Sequence, residues 1–187
     1  MWIRDLGSVL YILGRVSWYT VPMEAADDSL RPGGNSSSHL TIDPSDQFAT
    51  FSGYLDSKAL GGSGFASQRT KGDLNLDLSS YNGLSISVRE SDGKNYTVTL
   101  KDELPVNASE SSLLYAVSFV GVGVWQFDWE EFVPTVRGRV QTGAPPLNTK
   151  SVKQLSLMIR SYFGQQEGDF WTKFNCIAAY KRKDIEV

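Results

Sequence analysis

A chain of 187 residues is the size of one domain, and its 41% hydrophobic and 12% aromatic content is enough to close a core without disulfides or a structural metal. The net charge of −3 argues against nucleic acid as a partner, because binding a phosphate backbone needs clustered cations; the short runs Arg137-Gly138-Arg139 and Lys181-Arg182-Lys183 read as a solvated edge and a solvated tail. Cys176 is the single cysteine, which excludes a disulfide within the chain and points to an intracellular, reducing compartment, cytoplasmic or mitochondrial.

From Met1 to Trp18 the residues Trp2, Ile3, Leu6, Val9, Leu10, Leu13 and Val16 recur at helical spacing, which predicts a short N-terminal helix over 1–17 docked on a single domain, 18–187. Its longest apolar run, Val9 to Leu13, is too short to span a bilayer, so no membrane span is expected. Arg4 and Arg15 fit an import presequence, whereas Asp5 and the scarcity of serine do not.

Residues 24–38 are polar and predict an ordered surface loop. Phe48 to Leu55 then begins an alternating, strand-like pattern. The glycine-dense stretch 61–69 lacks the Gly-Lys-Ser/Thr ending of a phosphate loop and predicts a tight turn entering a strand. A strand is expected at 74–78. Leu84, Ile86 and Val88, then Tyr96, Val98 and Leu100, alternate with polar residues on either side of an Asp92-Gly93 turn, which predicts an antiparallel hairpin with one face inward. Further strands are expected at 113–120, 125–129, 152–162 and 169–181, with a second polar loop at 134–150. No helical pattern separates these segments, so the predicted fold is all-β, a two-sheet antiparallel sandwich.

Few motifs carry chemistry. One histidine, His39, and one cysteine cannot build a transition-metal cage, and no metal or cofactor is expected; Asp27-Asp28 is the only place where a loop calcium comes to mind. The sequons at Asn35, Asn95 and Asn107 read as chance matches, and Cys176 as a buried, inert thiol. The acids Asp102-Glu103, Asp128/Glu130/Glu131 and Glu167/Asp169 are pairs of the kind glycoside hydrolysis uses, but strand neighbours such as Asp102 and Glu103 point to opposite faces. Trp125, Phe127 and Trp129 share one face, which is expected to be core. Arg69, Arg89, Arg137, Arg139 and Arg160 suit either a ligand carboxylate or internal ion pairs. If a ligand groove exists, its candidate residues are Arg69, Trp125, Arg160, Tyr162, Gln165 and Glu167.

Several blocks, in order, resemble the complex I intermediate-associated protein 30 family, in particular its short, fungal-looking members. They are 27–40 with Asp27-Asp28 and Gly33-Gly34, 51–55 leading into 60–69, 78–84 around Tyr81-Asn82-Gly83, 96–102, 132–139, 157–170 with Arg160-Ser161-Tyr162-Phe163-Gly164, and 177–180. The resemblance implies a galactose-binding-like jelly roll, similar to some carbohydrate-binding modules, and for mitochondrial members a chaperone role in assembling complex I; it implies no catalytic residue. The leading expectation is a non-catalytic binding protein or assembly chaperone with a protein partner. A cofactor-independent isomerase or cyclase acting on a small organic ligand, and a carbohydrate-binding module, are the alternatives.

Overall fold

A computed structural model describes residues 9–14, 18–45, 47–105 and 112–182. Thirteen strands make up almost all of its regular structure, in chain order β1 (Val9–Gly14), β2 (Met23–Ala25), β3 (Ser37–Ile42), β4 (Ala49–Leu55), β5 (Phe65–Thr70), β6 (Gly83–Ser91), β7 (Asn95–Lys101), β8 (Leu114–Val120), β9 (Gly123–Asp128), β10 (Val133–Val136), β11 (Arg139–Val140), β12 (Gln154–Arg160) and β13 (Gly168–Tyr180). They form two antiparallel sheets. One runs β3-β4-β13-β6-β9, with β1 also paired to β13; the other runs β11-β10-β8-β7-β12-β5-β2.

The expected alternation is what closes the core. Tyr96, Val98 and Leu100 of β7, Leu155, Leu157 and Ile159 of β12, and Tyr115, Val117 and Phe119 of β8 project from the seven-stranded sheet. They meet Phe51, Leu84, Ile86, Phe170, Phe174 and Ile177 from the six-stranded sheet in one buried cluster. Aromatic rings knit the two layers, with Phe51 and Tyr96 at 6.2 Å, Phe119 and Phe174 at 6.1 Å edge to face, and Phe119 and Trp125 at 6.2 Å, spacings at which such pairs attract. Among the described residues no helix is long and apolar enough to cross a membrane.

Residues 9–14 are a strand, not part of a helix: β1 runs antiparallel to β13 from Val9 opposite Tyr180 to Gly14 opposite Cys176. The unbroken apolar run from Val9 to Leu13 satisfies helical spacing and a doubly buried strand equally, and the free edge of a 13-residue strand supplies the hydrogen bonds that decide it. The rest of 1–17 lies outside the described residues. Next, β6 and β7 are not a hairpin. β6 pairs with β13 and β9, while β7 pairs with β12 and β8. The Asp-Gly turn carries the chain between sheets, with Asp92 accepting from the Tyr96 hydroxyl at 2.8 Å and the Trp171 amide at 3.2 Å. Alternation tells which face is buried, not which strand lies alongside. Finally, 74–78 makes a single bridge, Leu76 to Val152, because Asn75 adopts a left-handed φ of 46° that interrupts a ladder.

The segment 24–38 is the expected surface loop over most of its length, anchored at a few buried positions. Asp27 and Asp28 are buried. Asp27 accepts from the Ser38 amide at 2.8 Å, the Ser38 hydroxyl at 2.6 Å and the Ser67 amide at 2.7 Å. Asp28 accepts from the Ser36 amide at 2.7 Å and, at 2.8 Å each, from the Ser36 hydroxyl and the Phe65 amide. Each carboxylate thus ties the β3 edge of one sheet to β5 of the other. The Phe65 amide, at the end of the glycine-dense stretch, is spent on this bond and not on a ligand. Gly34 is required here, since a Cβ on it would meet the Asp28 carbonyl oxygen at 1.9 Å. We expect Asp28→Ala to strand three donors and to lower unfolding free energy by about 3 kcal/mol or more, read as a reduced midpoint in urea.

Two phenols, Tyr115 of β8 and Tyr180 of β13, are held largely out of water. Burial, reinforced by the charge of Asp102, pushes Tyr115 up to about 12; burial, with a hydrogen bond to Asp128, pushes Tyr180 up to about 12. Unfolded tyrosines titrate near 10, so between about pH 10 and 12 the unfolded chain binds fewer protons than the native one. Stability is whole below that window and is lost as pH rises through it. Thermal melts across this range should show the fall, and Tyr115→Phe and Tyr180→Phe should each make it shallower.

Candidate functional site

Cross-strand partners in an antiparallel sheet share a face, so the pairing register maps what the seven-stranded sheet turns away from the core. One row runs Val133, Ala116, Thr99, Ser156, Arg69, Glu24 across β10, β8, β7, β12, β5 and β2. The adjacent row runs Ser118, Thr97, Met158, Ser67. Lys101 pairs with Gln154 beyond the first row, and Arg160 with Phe65 beyond the second. The middle of the face is therefore floored by short side chains, and Thr97 and Thr99 are only 1% and 2% exposed.

Longer side chains border this floor. The Tyr162 hydroxyl reaches Thr97 Oγ1 at 3.3 Å and Ser118 Oγ at 3.4 Å, and those two are 3.0 Å apart, so three hydroxyls converge. Tyr162 is held there by a strained backbone: Tyr162 and Phe163 both take left-handed φ values, 46° and 58°, at a cost of roughly 1–2 kcal/mol each. Gln166 supports the loop by donating to the Asn95 and Arg160 carbonyls at 3.0 and 2.6 Å and accepting from the Asn95 amide at 3.0 Å. The Ser161 hydroxyl donates to the Gly62 carbonyl at 2.6 Å. Strain that neighbouring bonds hold in place is often found at working surfaces.

In these rows and beside them three cations, Arg69, Lys101 and Arg160, stand against one carboxylate, Glu24, and the Arg31 guanidinium lies over Phe65 next to them. Arg69 is paired to Glu24 at 2.8 Å. Lys101 and Arg160 have no ion pair among the described residues; the one side-chain bond of Arg160 runs from Nε to the Met158 sulfur at 3.2 Å, a weak acceptor. Burial, with a smaller push from Arg69, pulls the Lys101 ammonium below the usual lysine value, and burial likewise lowers Arg160. Both are charges held partly out of water without the compensation a buried charge normally finds.

Of the six candidate residues, the structure brings Arg69, Arg160 and Tyr162 together here. Trp125 lies on β9 in the other sheet, half-buried against Phe119, so the expectation of a core-facing aromatic run fits it better than a groove role. Gln165 is exposed in the β12–β13 loop, and Glu167 accepts from the Ser57 hydroxyl outside the floor. Lys101, Thr97, Thr99, Ser118 and Ser156 went unnoticed in the sequence, because they occupy the polar positions of alternating strands and pass for a plain solvent face.

Asp102 accepts from the Asn148 amide at 2.8 Å, and Asp128 accepts from Tyr180 and Arg182. The donors crowding Asp27 and Asp28 are N–H and O–H groups, which a calcium would not tolerate in its ligand shell. Among the described residues no three His, Cys, Asp or Glu side chains are grouped to hold a metal ion. Cys176 is half-buried rather than buried.

An open-faced two-sheet sandwich of this kind is a jelly roll of the carbohydrate-binding-module type. The family 11 module of the cellulosomal cellulase Lic26A-Cel5E of Clostridium thermocellum is similar, with a TM-score of 0.63 over 95% of this chain and 96% of that one at 10% identity. A family 11 module from Clostridium thermocellum in complex with a β-1,3-1,4-mixed-linked tetrasaccharide gives 0.62 at 10% identity, over 95% and 98%. At such identity the likeness concerns the fold alone. The family model for complex I intermediate-associated protein 30 matches residues 21–173, and the chain belongs to that family. An uncharacterized protein of Schizosaccharomyces pombe is 37% identical over 175 residues, covering 87% of this chain and 80% of the relative.

Since Lys101 sits partly desolvated without a counter-charge, removing the charge while keeping the stem should relieve the fold. Lys101→Met is expected to raise Tm by a few degrees, which for a domain of this size is about 1 kcal/mol, by calorimetry at neutral pH.

Proposed function

We propose that the protein is a non-catalytic binding protein of the assembly-chaperone kind, which presents the outer face of its seven-stranded sheet to a protein partner. The observation that carries this reading is the face itself: a hydroxyl floor, a strained loop aiming Tyr162 across it, and cations left unpaired. Membership in a family named for complex I intermediates supports a partner among respiratory assembly intermediates, and a mitochondrial site of action. Ser118 is exposed on the floor, so Ser118→Trp obstructs the face without entering the core. Affinity capture from mitochondria of the source organism should retain complex I intermediates with the wild type and lose them with Ser118→Trp. Equal capture by both forms, or a wild type that captures none, overturns the reading.

A second reading rests on the convergence of Thr97, Ser118 and Tyr162 within 3.4 Å. Fixed hydroxyl donors are a means of stabilising a developing oxyanion without a nucleophile, which is what a cofactor-independent isomerase or cyclase would need.

A further inference from the structure

The partner's chemistry can be taken a step further, on the protein-partner reading above. The cations lie at opposite ends of the floor. β12 is a seven-residue strand, about 20 Å long at roughly 3.3 Å per residue; Lys101 stands beside its first residue, Gln154, and Arg160 is its last. Arg69, two residue steps along β12 by its pairing with Ser156, stands toward the Lys101 end. No compact anion spans that length, whereas an extended polypeptide of about six to eight residues does.

Charge sign selects the occupant. The chain as a whole carries −3, yet the rows of this face hold three cations and one carboxylate, two of those cations are unneutralised, and Arg31 over Phe65 adds a fourth. A local reversal of sign is the pattern by which an interface admits one partner and repels others. Nucleic acid fits less well, since four cations, one already paired, make a sparse row beside a duplex or strand charged at every phosphate. A sugar chain fits less well also. Phe65 is capped by the Arg31 guanidinium at 5.1 Å, and Tyr162 is tethered by its hydroxyl, so neither ring is a free platform for stacking. At the Arg160 end Phe163 is 80% exposed on the loop that directly follows β12, which offers an apolar contact beside a cation.

We infer that the outer face of the seven-stranded sheet receives an acidic, extended segment of the partner protein, laid along β12 between the Lys101/Arg69 end and Arg160. Carboxylates of the segment pair with Lys101 and with the guanidinium of Arg160, and its polar backbone meets the floor at the exposed Ser118.

The test uses the full chain and fluorescein-labelled peptides of about eight residues, the length that spans the floor, one of glutamate and one of glutamine, followed by fluorescence anisotropy. The glutamate peptide should bind about tenfold or more tightly than the glutamine peptide. Arg160→Gln and Lys101→Met should each weaken it about fivefold with unchanged circular dichroism. About 1 M NaCl, which cuts the screening length to about 3 Å, should remove most of the difference. Equal binding of the two peptides, both lost in Ser118→Trp, overturns the acidic preference while the protein-binding face survives. Displacement of bound peptide by oligogalacturonate or by a mixed-linked glucan tetrasaccharide more strongly than by unlabelled glutamate peptide overturns it in favour of a carbohydrate. No measurable binding of the glutamate peptide overturns it as well. A wild type that captures no complex I intermediates, by contrast, would sink the partner reading and leave the peptide result standing.

Discussion

Two carboxylates buried side by side, each satisfied by three N–H or O–H donors, set the geometry on which both sheets depend. Asp27 and Asp28 draw donors from the β3 edge of the six-stranded sheet and from β5 of the seven-stranded sheet, so they fasten the layers where hydrophobic packing alone would let them slide. Apolar burial is strong but non-directional; charge-assisted hydrogen bonds are directional and roughly twice as strong as neutral ones. The core holds the sheets together and the aspartates fix how they lie. Because β5 is thereby fixed, so is Arg69, and with it one end of the outer face.

Much of this architecture is legible in the residues. The alternating runs at 48–55, 84–88, 96–100 and 152–162 locate the strands that close the core, since period-2 burial leaves a period-2 record in the side chains. Pairing leaves a weaker record. The Asp92-Gly93 turn looks the same whether it folds a strand back on its neighbour or carries it to the opposite sheet. The distinction lies in Asp92 binding Tyr96 and Trp171, a contact that closes only in three dimensions. Val9 to Gly14 was obscured differently: five consecutive apolar residues fit a helix as easily as a strand buried on both faces, and the edge of β13 that settles the matter lies more than 160 residues away along the chain.

The face was less legible than the fold. Arg160 and Tyr162 stand out within a dense motif block, and Arg69 within another, but nothing local says they share a surface with Lys101. Thr97, Thr99 and Ser156 are polar residues in polar positions. What singles them out is being 1%, 2% and 8% exposed on the side of the sheet away from the core. Trp125 drew attention for its size, and size in a strand is mostly a packing property.

Stability and recognition are divided between the two faces of one sheet. The inner face of β7, β8 and β12 is a run of Val, Leu, Ile, Phe and Tyr with nothing polar left unresolved. On the outer face the same strands hold two cations without counter-charges, three converging hydroxyls and the strained Tyr162-Phe163 backbone. Natural chains tend to shed such features unless something else depends on them, because each costs on the order of 1 kcal/mol and most substitutions at those positions would be tolerated by the core. Their concentration on one surface, opposite a core able to carry the cost, separates a working face from a merely solvated one. A solvated face would carry its charges in pairs or in full water. This one holds them half-buried and unmatched at a distance set by the length of β12, and a partner that supplied the missing charges would stabilise the fold as it bound.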